Sequence, residues 1–374
     1  MLGTHSTSRI ALSLAQGCQW HNVKGATRSN PGVLRLPIAP HSRRERDVSA
    51  VWEQGRCQVP RISVIVPVRD AEATLDETLA SIASQSLGDW EAVVVDDGSA
   101  DESLAIARAW ARREGRIVVL THPGGENLGR GATRNTAIAA ARSEFCAFLD
   151  ADDALLPDAL ASYLEAFGAH PEAGVVYGQA AIFGDGADGA LCGRGTPGAS
   201  VRLGRQLARF NVLATCATAA RRVALVASPF PAHLRFPIED WACWLGLARG
   251  WAFVFVARVL ARYRRHAGSG TGAVLAGGLE PECDREQAAY LRATLGAGTR
   301  EERAAAREGA RFRATCCLRQ SISALRSGGL TRSARWLGAA IAVAGDPATF
   351  AAALARVVPE QRRIRRGEDP PLAG

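Results

Sequence analysis

The sequence predicts an α/β protein: a mostly parallel sheet flanked by helices, followed by a helical C-terminal region. Three observations lead there. Between Arg61 and Pro157, short apolar runs rich in β-branched residues alternate with helix-start signals, the pattern of successive strand–helix–strand units. Three of those runs end in polar turns, at Pro67, at Asp96-Asp97 and at Asp150, where open α/β sheets place their ligands. Beyond about residue 268, helical spacing replaces the strand pattern.

Taken in order, residues 1–58 mix Ser, His, Arg, Gly and Pro without a sustained period and read as a poorly ordered leader. Its apolar patch, Ile10 to Ala15, is too short for a signal peptide. Ile62 to Val66, stopped by Pro67, reads as a buried strand. Thr74 to Glu77 spells a capping box and opens a helix to about Gln85. Ala92 to Val95 is a second strand; Ser99 to Glu102 is a second capping box, starting a helix to about Gly115. Ile117 to Leu120, a loop to Arg130, a helix around Ala132 to Ala141 and a strand from Phe145 to Leu149 continue the alternation. Pro157 sits near the first turn of the next helix. From Ala208 to Ala261 the pattern weakens to one helix, Glu239 to Arg249, and one strand, Phe253 to Val259. Gly268 to Gly278 is a glycine-rich hinge, and Thr299 to Glu302 is a third capping box before helices that end in a basic tail, Arg362 to Arg366. The chain divides into a leader (1–58), a sheet domain (59–268) and a helical region (269–374).

The formal charge of +8 is almost all arginine, Lys24 being the only lysine. The arginines are dispersed and lack the interleaved aromatics of a single-strand binder, which excludes a nucleic-acid partner. The basic end exerts a modest pull toward acidic membrane surfaces. Nine cysteines, none in C-x-x-C spacing, give no zinc or redox signal and fit reduced thiols in a cytoplasm. No apolar run reaches the roughly 20 residues of a bilayer span.

Chemistry concentrates in five places. In Asp150-Ala151-Asp152-Asp153, carboxylates two apart on an extended segment point the same way and repel unless a divalent cation bridges them to a diphosphate; an Asp-rich helix cap is the alternative. In Asp96-Asp97-Gly98-Ser99, a strand-end carboxylate can accept a hydrogen bond from a base N–H, Gly98 turns the backbone, and Ser99 caps the next helix. From Asn127 to Asn135, small residues at a helix start admit a close ligand, and Arg134 can meet a phosphate with two hydrogen bonds. Glu239-Asp240 opens a helix and offers Asp240 as a general base, or simple capping. His266 follows a strand, as a metal ligand can.

Together, Val64-Ile65-Val66-Pro67 with Asp70, Val95-Asp96-Asp97-Gly98-Ser99, Asn127-x-Gly129 with Arg134-Asn135, Phe148-Leu149-Asp150-Ala151-Asp152-Asp153, Glu239-Asp240-Trp241 and Tyr263-Arg264-Arg265-His266 resemble the family 2 glycosyltransferases and their GT-A fold. The resemblance covers Arg61 to Ser269 and implies an inverting enzyme that moves a sugar from a nucleotide diphosphate-sugar to a hydroxyl of a sugar, lipid-linked or other acceptor, in surface glycan or glycolipid synthesis. It implies that Asp97 binds the base, with Pro67 and Val68 lining its pocket. Asp150 would hold the ribose and Arg134 would lie near the base or phosphates. Asp152 would bind Mn²⁺ or Mg²⁺, with His266 completing the shell, and Asp240 would deprotonate the acceptor. The polymerising branch carries Q-x-x-R-W and membrane helices; here Arg332 precedes Arg335-Trp336, so a non-processive enzyme is expected, cytoplasmic and at most peripheral to the membrane. A sugar-phosphate nucleotidyltransferase would need a glycine- and arginine-rich loop where Pro67-Val68-Arg69-Asp70 stands, and a dinucleotide oxidoreductase would need G-x-G-x-x-G. A non-catalytic nucleotide-sugar binder is the remaining rival.

Overall fold

The computed structural model describes residues 59–365, apart from 186–188, 198–199, 202, 235, 267, 270–271, 273, 275–277 and 297. The expected leader, Cys18 within it, part of the glycine-rich hinge and the last residue of the basic tail lie outside the described residues.

Four strands build the parallel half of the sheet: β1 (Ile62–Val68), β2 (Trp90–Asp96), β3 (Ile117–Thr121) and β4 (Phe145–Phe148). Every residue of β1 and β2 is buried, because helices cover both faces, and this is why both read as unbroken apolar runs. Two polar residues within these runs are matched to each other and to a cation: Ser63 Oγ donates to Glu91 Oε1 at 2.6 Å, and Arg142 Nε donates to Glu91 Oε2 at 2.8 Å; the third, Asp96, ends β2 at the site. Between the strands run α1 (Leu75–Ala83), α2 (Ser103–Arg113) and α3 (Arg130–Ala140).

The second half is mixed. After the two-residue β5 (Ala154–Leu155) come α4 (Ala159–Ala169), β6 (Ala173–Gly184), the short β7 (Leu191–Cys192) and β8 (Ser200–Val201), α5 (Gly204–Arg209), β9 (Thr218–Arg221), α6 (Arg222–Ala227), α7 (Glu239–Leu247) and β10 (Ala252–Arg265). The sheet order is β3-β2-β1-β4-β9-β6-β10-β5, with β7 on β6 and β8 on β10. β9 runs antiparallel to both β4 and β6, while β6 and β10 are parallel. The sheet is thus parallel from β3 through β4, as the expected α/β fold requires, and mixed beyond.

Four helices complete the fold: α8 (Glu280–Leu295), α9 (Arg300–Arg326), α10 (Leu330–Ala344) and α11 (Pro347–Arg365). They enclose a second core of Ala314, Cys317, Leu318, Trp336, Ala339, Val343 and Val357. Gly309 lets α9 lie against α5, since a Cβ there would stand 2.2 Å from the Ala208 carbonyl oxygen. Of the three expected capping boxes only Thr299–Glu302 forms both reciprocal bonds. Thr74 and Ser99 make no cap bond; each is drawn to a longer-range partner at the site.

Candidate active site

Three turns at the carboxyl ends of β1, β2 and β4 converge. At β1, Pro67 and Val68 are buried, and the Val68 carbonyl accepts the Asp97 N–H at 2.8 Å. Asp70 follows with φ of 46°, a left-handed conformation that Asp and Asn tolerate best, and its Oδ1 accepts the Ala100 N–H. Its own N–H goes to Ser99 Oγ at 3.1 Å, so Ser99 ties two turns together, and the helix starts later, at Ser103.

The two aspartates at the end of β2 have different partners. Asp97 Oδ1 accepts the Leu128 N–H at 2.7 Å and stands 3.5 Å from His122 Nε2, anchoring the loop before α3. Asp96 Oδ2 accepts the Ser99 N–H, while its Oδ1 is buried without a partner. The expectation singled out Asp97; the unmatched acceptor belongs to Asp96. Gly98 (φ 74°) is needed on two counts, since a Cβ would also sit 2.7 Å from the Gly125 carbonyl.

The Asp150 cluster is a turn, closed by Asp153 N–H to the Asp150 carbonyl at 3.1 Å. This corrects the extended-segment reading: the carboxylates diverge. Asp150 Oδ1 meets Arg134 at 2.6 Å, Asp152 Oδ2 meets His266 Nε2 at 2.9 Å, and Asp153 Oδ1 accepts the Arg264 N–H at 2.8 Å. Burial, followed by the charges of Asp152 and Asp150, pushes the Asp153 carboxyl well above its usual range. The turn's backbone is gripped from α1: Thr74 and Thr78 hydroxyls both donate to the Ala151 carbonyl, and Thr78 also reaches the Asp153 carbonyl. β10 runs six residues beyond the expected Val259, which carries Arg264 onto the turn and delivers His266 to Asp152.

Arg134, expected near the base or phosphates, lines the cleft yet is 1% exposed, and its fork is taken by two carboxylates, Asp150 and, at 2.6 Å, Glu239. Burial alone would weaken this cation; Asp150, Glu239 and Asp240 outweigh that and raise its pKa. The same pairing, with help from Arg130, overcomes the effect of burial on Asp150 and holds that carboxyl below its ordinary value. Gly131, read as room for a ligand, is room for the chain itself: a Cβ would meet the Pro231 carbonyl oxygen at 2.5 Å.

Asp240, in the first turn of α7, lines a cleft of about 310 Å³ with Arg130, Arg134, Asp150, Asn211, Thr215, Tyr263 and Gln287. Its Oδ2 accepts from Thr215 Oγ1 at 2.7 Å and Asn211 Nδ2 at 3.2 Å, and its Oδ1 from the Trp241 N–H at 2.6 Å. Burial and the neighbouring Glu239 push its pKa up, against the pull of Arg134. A carboxylate so held, on the wall of a cleft and with a raised pKa, can accept a proton from a bound hydroxyl. Sequence reasoning missed Arg130, a 41%-exposed cation on this wall, and Gln287 of α8. Arg130 was legible beside Gly129; nothing in the sequence around Gln287 places it here.

Asp152 and His266 offer a hard oxygen and an imidazole in contact. Among the described residues no three His, Cys, Asp or Glu side chains converge as a metal cluster. Such a two-ligand set fits Mg²⁺ or Mn²⁺ shared with phosphate oxygens and water. The seven described cysteines are free, and no helix among the described residues is long and apolar enough to cross a membrane.

Residues 63–226 match the sequence model of glycosyl transferase family 2. The chain is 47% identical over 120 residues to an O-antigen biosynthesis protein, RfbC, of Myxococcus xanthus, which is 32% of this chain and 9% of that protein. It is 39% identical over 95 residues to an uncharacterized glycosyltransferase, EpsJ, of Bacillus subtilis (strain 168), covering 25% and 27%. The chain therefore spans less than a third of either relative. In structure it resembles residues 1–349 of TarS from S. aureus, solved with UDP-GlcNAc, with a TM-score of 0.58 and 21% identity over 82% of this chain and 92% of that one.

Proposed function

We propose that this chain, whose residues 63–226 match the sequence model of glycosyl transferase family 2, is an inverting glycosyltransferase moving a sugar from a nucleotide diphosphate-sugar to an acceptor hydroxyl. The observation that carries the reading is Asp240: a carboxylate with a raised pKa on the wall of a cleft, joined through Glu239 and Arg134 to the turn that bears Asp152.

In this reading Asp96 and Asp97 receive the base beside Pro67 and Val68, and Asp150 faces the ribose. Asp152 and His266 hold a divalent ion, which supplies positive charge to the departing diphosphate. Arg130 adds a second, half-exposed cation on the same wall. Arg134 acts one step back, orienting Asp150 and Glu239. Asp240 takes the proton as the acceptor oxygen attacks the anomeric carbon from the face opposite the leaving group, so the configuration inverts. Residues 59–268 form the transferase domain and 269–374 its helical region. The relation to an O-antigen biosynthesis protein supports an acceptor among surface glycans or glycolipids, and the free thiols support a cytoplasmic site at the inner face of the membrane.

The test is calorimetric titration with UDP, GDP and dTDP, each with and without Mn²⁺. One nucleotide is expected to bind in a metal-dependent way, and Asp152→Ala to abolish the metal dependence. Folded protein that binds none of the three would overturn the donor site. Binding without turnover of any sugar donor would leave a nucleotide-sugar binder.

A further inference from the structure

Half of the large apolar side chains exposed among the described residues lie in one stretch of the helical region: Leu325, Leu330, Leu337, Ile341, Leu354 and Val358, between 38% and 71% exposed. Their spacing is regular. On α10, Trp336, Ala339, Ala340 and Val343 face the second core, and the opposite side presents Leu330, Ala334, Leu337, Gly338 and Ile341 to solvent. On α11, Ala353 and Val357 face the core while Ala351, Leu354, Ala355 and Val358 face out. A surface helix of a globular protein turns its polar side to water. These two turn out apolar stripes with no acidic residue in them.

The charge around the stripes is net positive. Residues 326–374 hold eight arginines and four acids, half of the chain's formal +8. Arg326, Arg332 and Arg356 are exposed at the edges of the stripes, and four more arginines follow between 362 and 366. Within α10, α11 and the turn between them the sequence holds two acids, Asp346 at that turn and Glu360 in α11. Asp346 is already occupied as a cap, its carboxylate accepting from Thr349 N and Oγ1.

We infer that the outward face of α10 and α11 docks on an anionic lipid bilayer, the apolar stripes entering the acyl boundary and the arginines lying among the headgroups. An apolar face with an arginine rim is the pattern of helices that lie in the membrane plane. Each basic residue near an anionic surface adds to the attraction. The charge argues against a second copy as occupant: a two-fold interface on this face would bring two arginine rims together. This inference names the surface behind the peripheral localisation and is independent of sugar transfer.

The experiment is co-sedimentation of the full chain with phosphatidylglycerol/phosphatidylcholine vesicles and with phosphatidylcholine vesicles alone, alongside sedimentation velocity without lipid. The chain is expected to bind the anionic vesicles, to bind less in high salt, and to leave phosphatidylcholine vesicles in the supernatant. The double variant Leu337→Glu, Ile341→Glu changes two exposed side chains, so it should melt like the parent and lose vesicle affinity by about tenfold or more. Arg332→Glu with Arg356→Glu should lower binding to anionic vesicles only. No binding to anionic vesicles, or equal binding by parent and the apolar-face variant, overturns the inference. So does a dimer that the apolar-face variant dissociates, since the stripes would then belong to a second copy.

Discussion

Replacing Arg134 by methionine keeps most of the side chain's length and removes its charge. The wild-type guanidinium is 1% exposed and donates at 2.6 Å to both Asp150 and Glu239. Without it, the two carboxylates lose their buried partner and keep only the 41%-exposed Arg130, 3.7 Å from Glu239, as a nearby cation. Breaking a buried ion pair from one side costs about 3–5 kcal/mol. For a domain of this size that is a fall in Tm of roughly 6–20 °C. The sign of the pH dependence is a second check. Asp150 is held below its usual pKa in the wild type, so its contribution is present above the unfolded carboxylate pKa and fades as pH drops through the lower folded value. In the variant, burial acts on Asp150 unopposed by Arg134, its pKa rises, and protonation relieves the strain. The gap in Tm between the two proteins should therefore shrink as pH falls below about 5. Thermal melts followed by circular dichroism across that range provide the measurement. An unchanged Tm together with weakened nucleotide binding would refute the reasoning, because the guanidinium would then be serving the ligand and not the fold.

Asp240→Asn should bind nucleotide as the wild type does and lose about 10²–10⁴ in kcat, and the wild-type profile of kcat against pH should fall on the acid side at a pH above the ordinary carboxylate range, since burial and Glu239 raise the Asp240 pKa and only the ionised form accepts a proton. A flat acid limb, or an Asn variant at full rate, removes Asp240 from the role of base. Gly131→Ala forces a Cβ to 2.5 Å from the Pro231 carbonyl and should cost about 1–3 kcal/mol in urea unfolding, with no change in nucleotide affinity at temperatures where it is folded. A neutral substitution would mean that the Pro231 segment yields freely.

The parallel half of the fold was open to reading because burial on both faces forces strand sequences into unbroken apolar runs, and Val64 to Val66 and Val93 to Val95 show this directly. β6 and β9 stayed hidden for an equally physical reason. β9 is Thr-Ala-Ala-Arg, and β6 carries Gly174 and Gly178 where the Trp251 and Leu260 side chains stand 2.5 and 2.6 Å from an added Cβ. Packing, not strand propensity, selected those residues. In the site, residue identities were legible and partnerships were not. Thr74 and Ser99 have the spacing of caps, yet the hydroxyls serve turns far along the chain. Arg134 looks like a phosphate ligand until Glu239, over a hundred residues later, closes on it. Pairings of that range have no local signature.

Gln287 brings a consequence for the helices that carry it. The wall of the cleft facing Asp240 comes partly from α8, and Trp241, next to Asp240, has its ring against Tyr290 of α8 and beneath the guanidinium of Arg313 on α9. The polarity felt by Asp240 is thus set in part by a layer that enters the sequence after the sheet is complete. Substitutions in that layer that leave the sheet untouched can let water reach the cleft, and water lowers a pKa that burial has raised. If Asp240 is the proton acceptor proposed above, variants of this layer should show themselves first as a displaced acid limb in the rate profile, before any loss of fold.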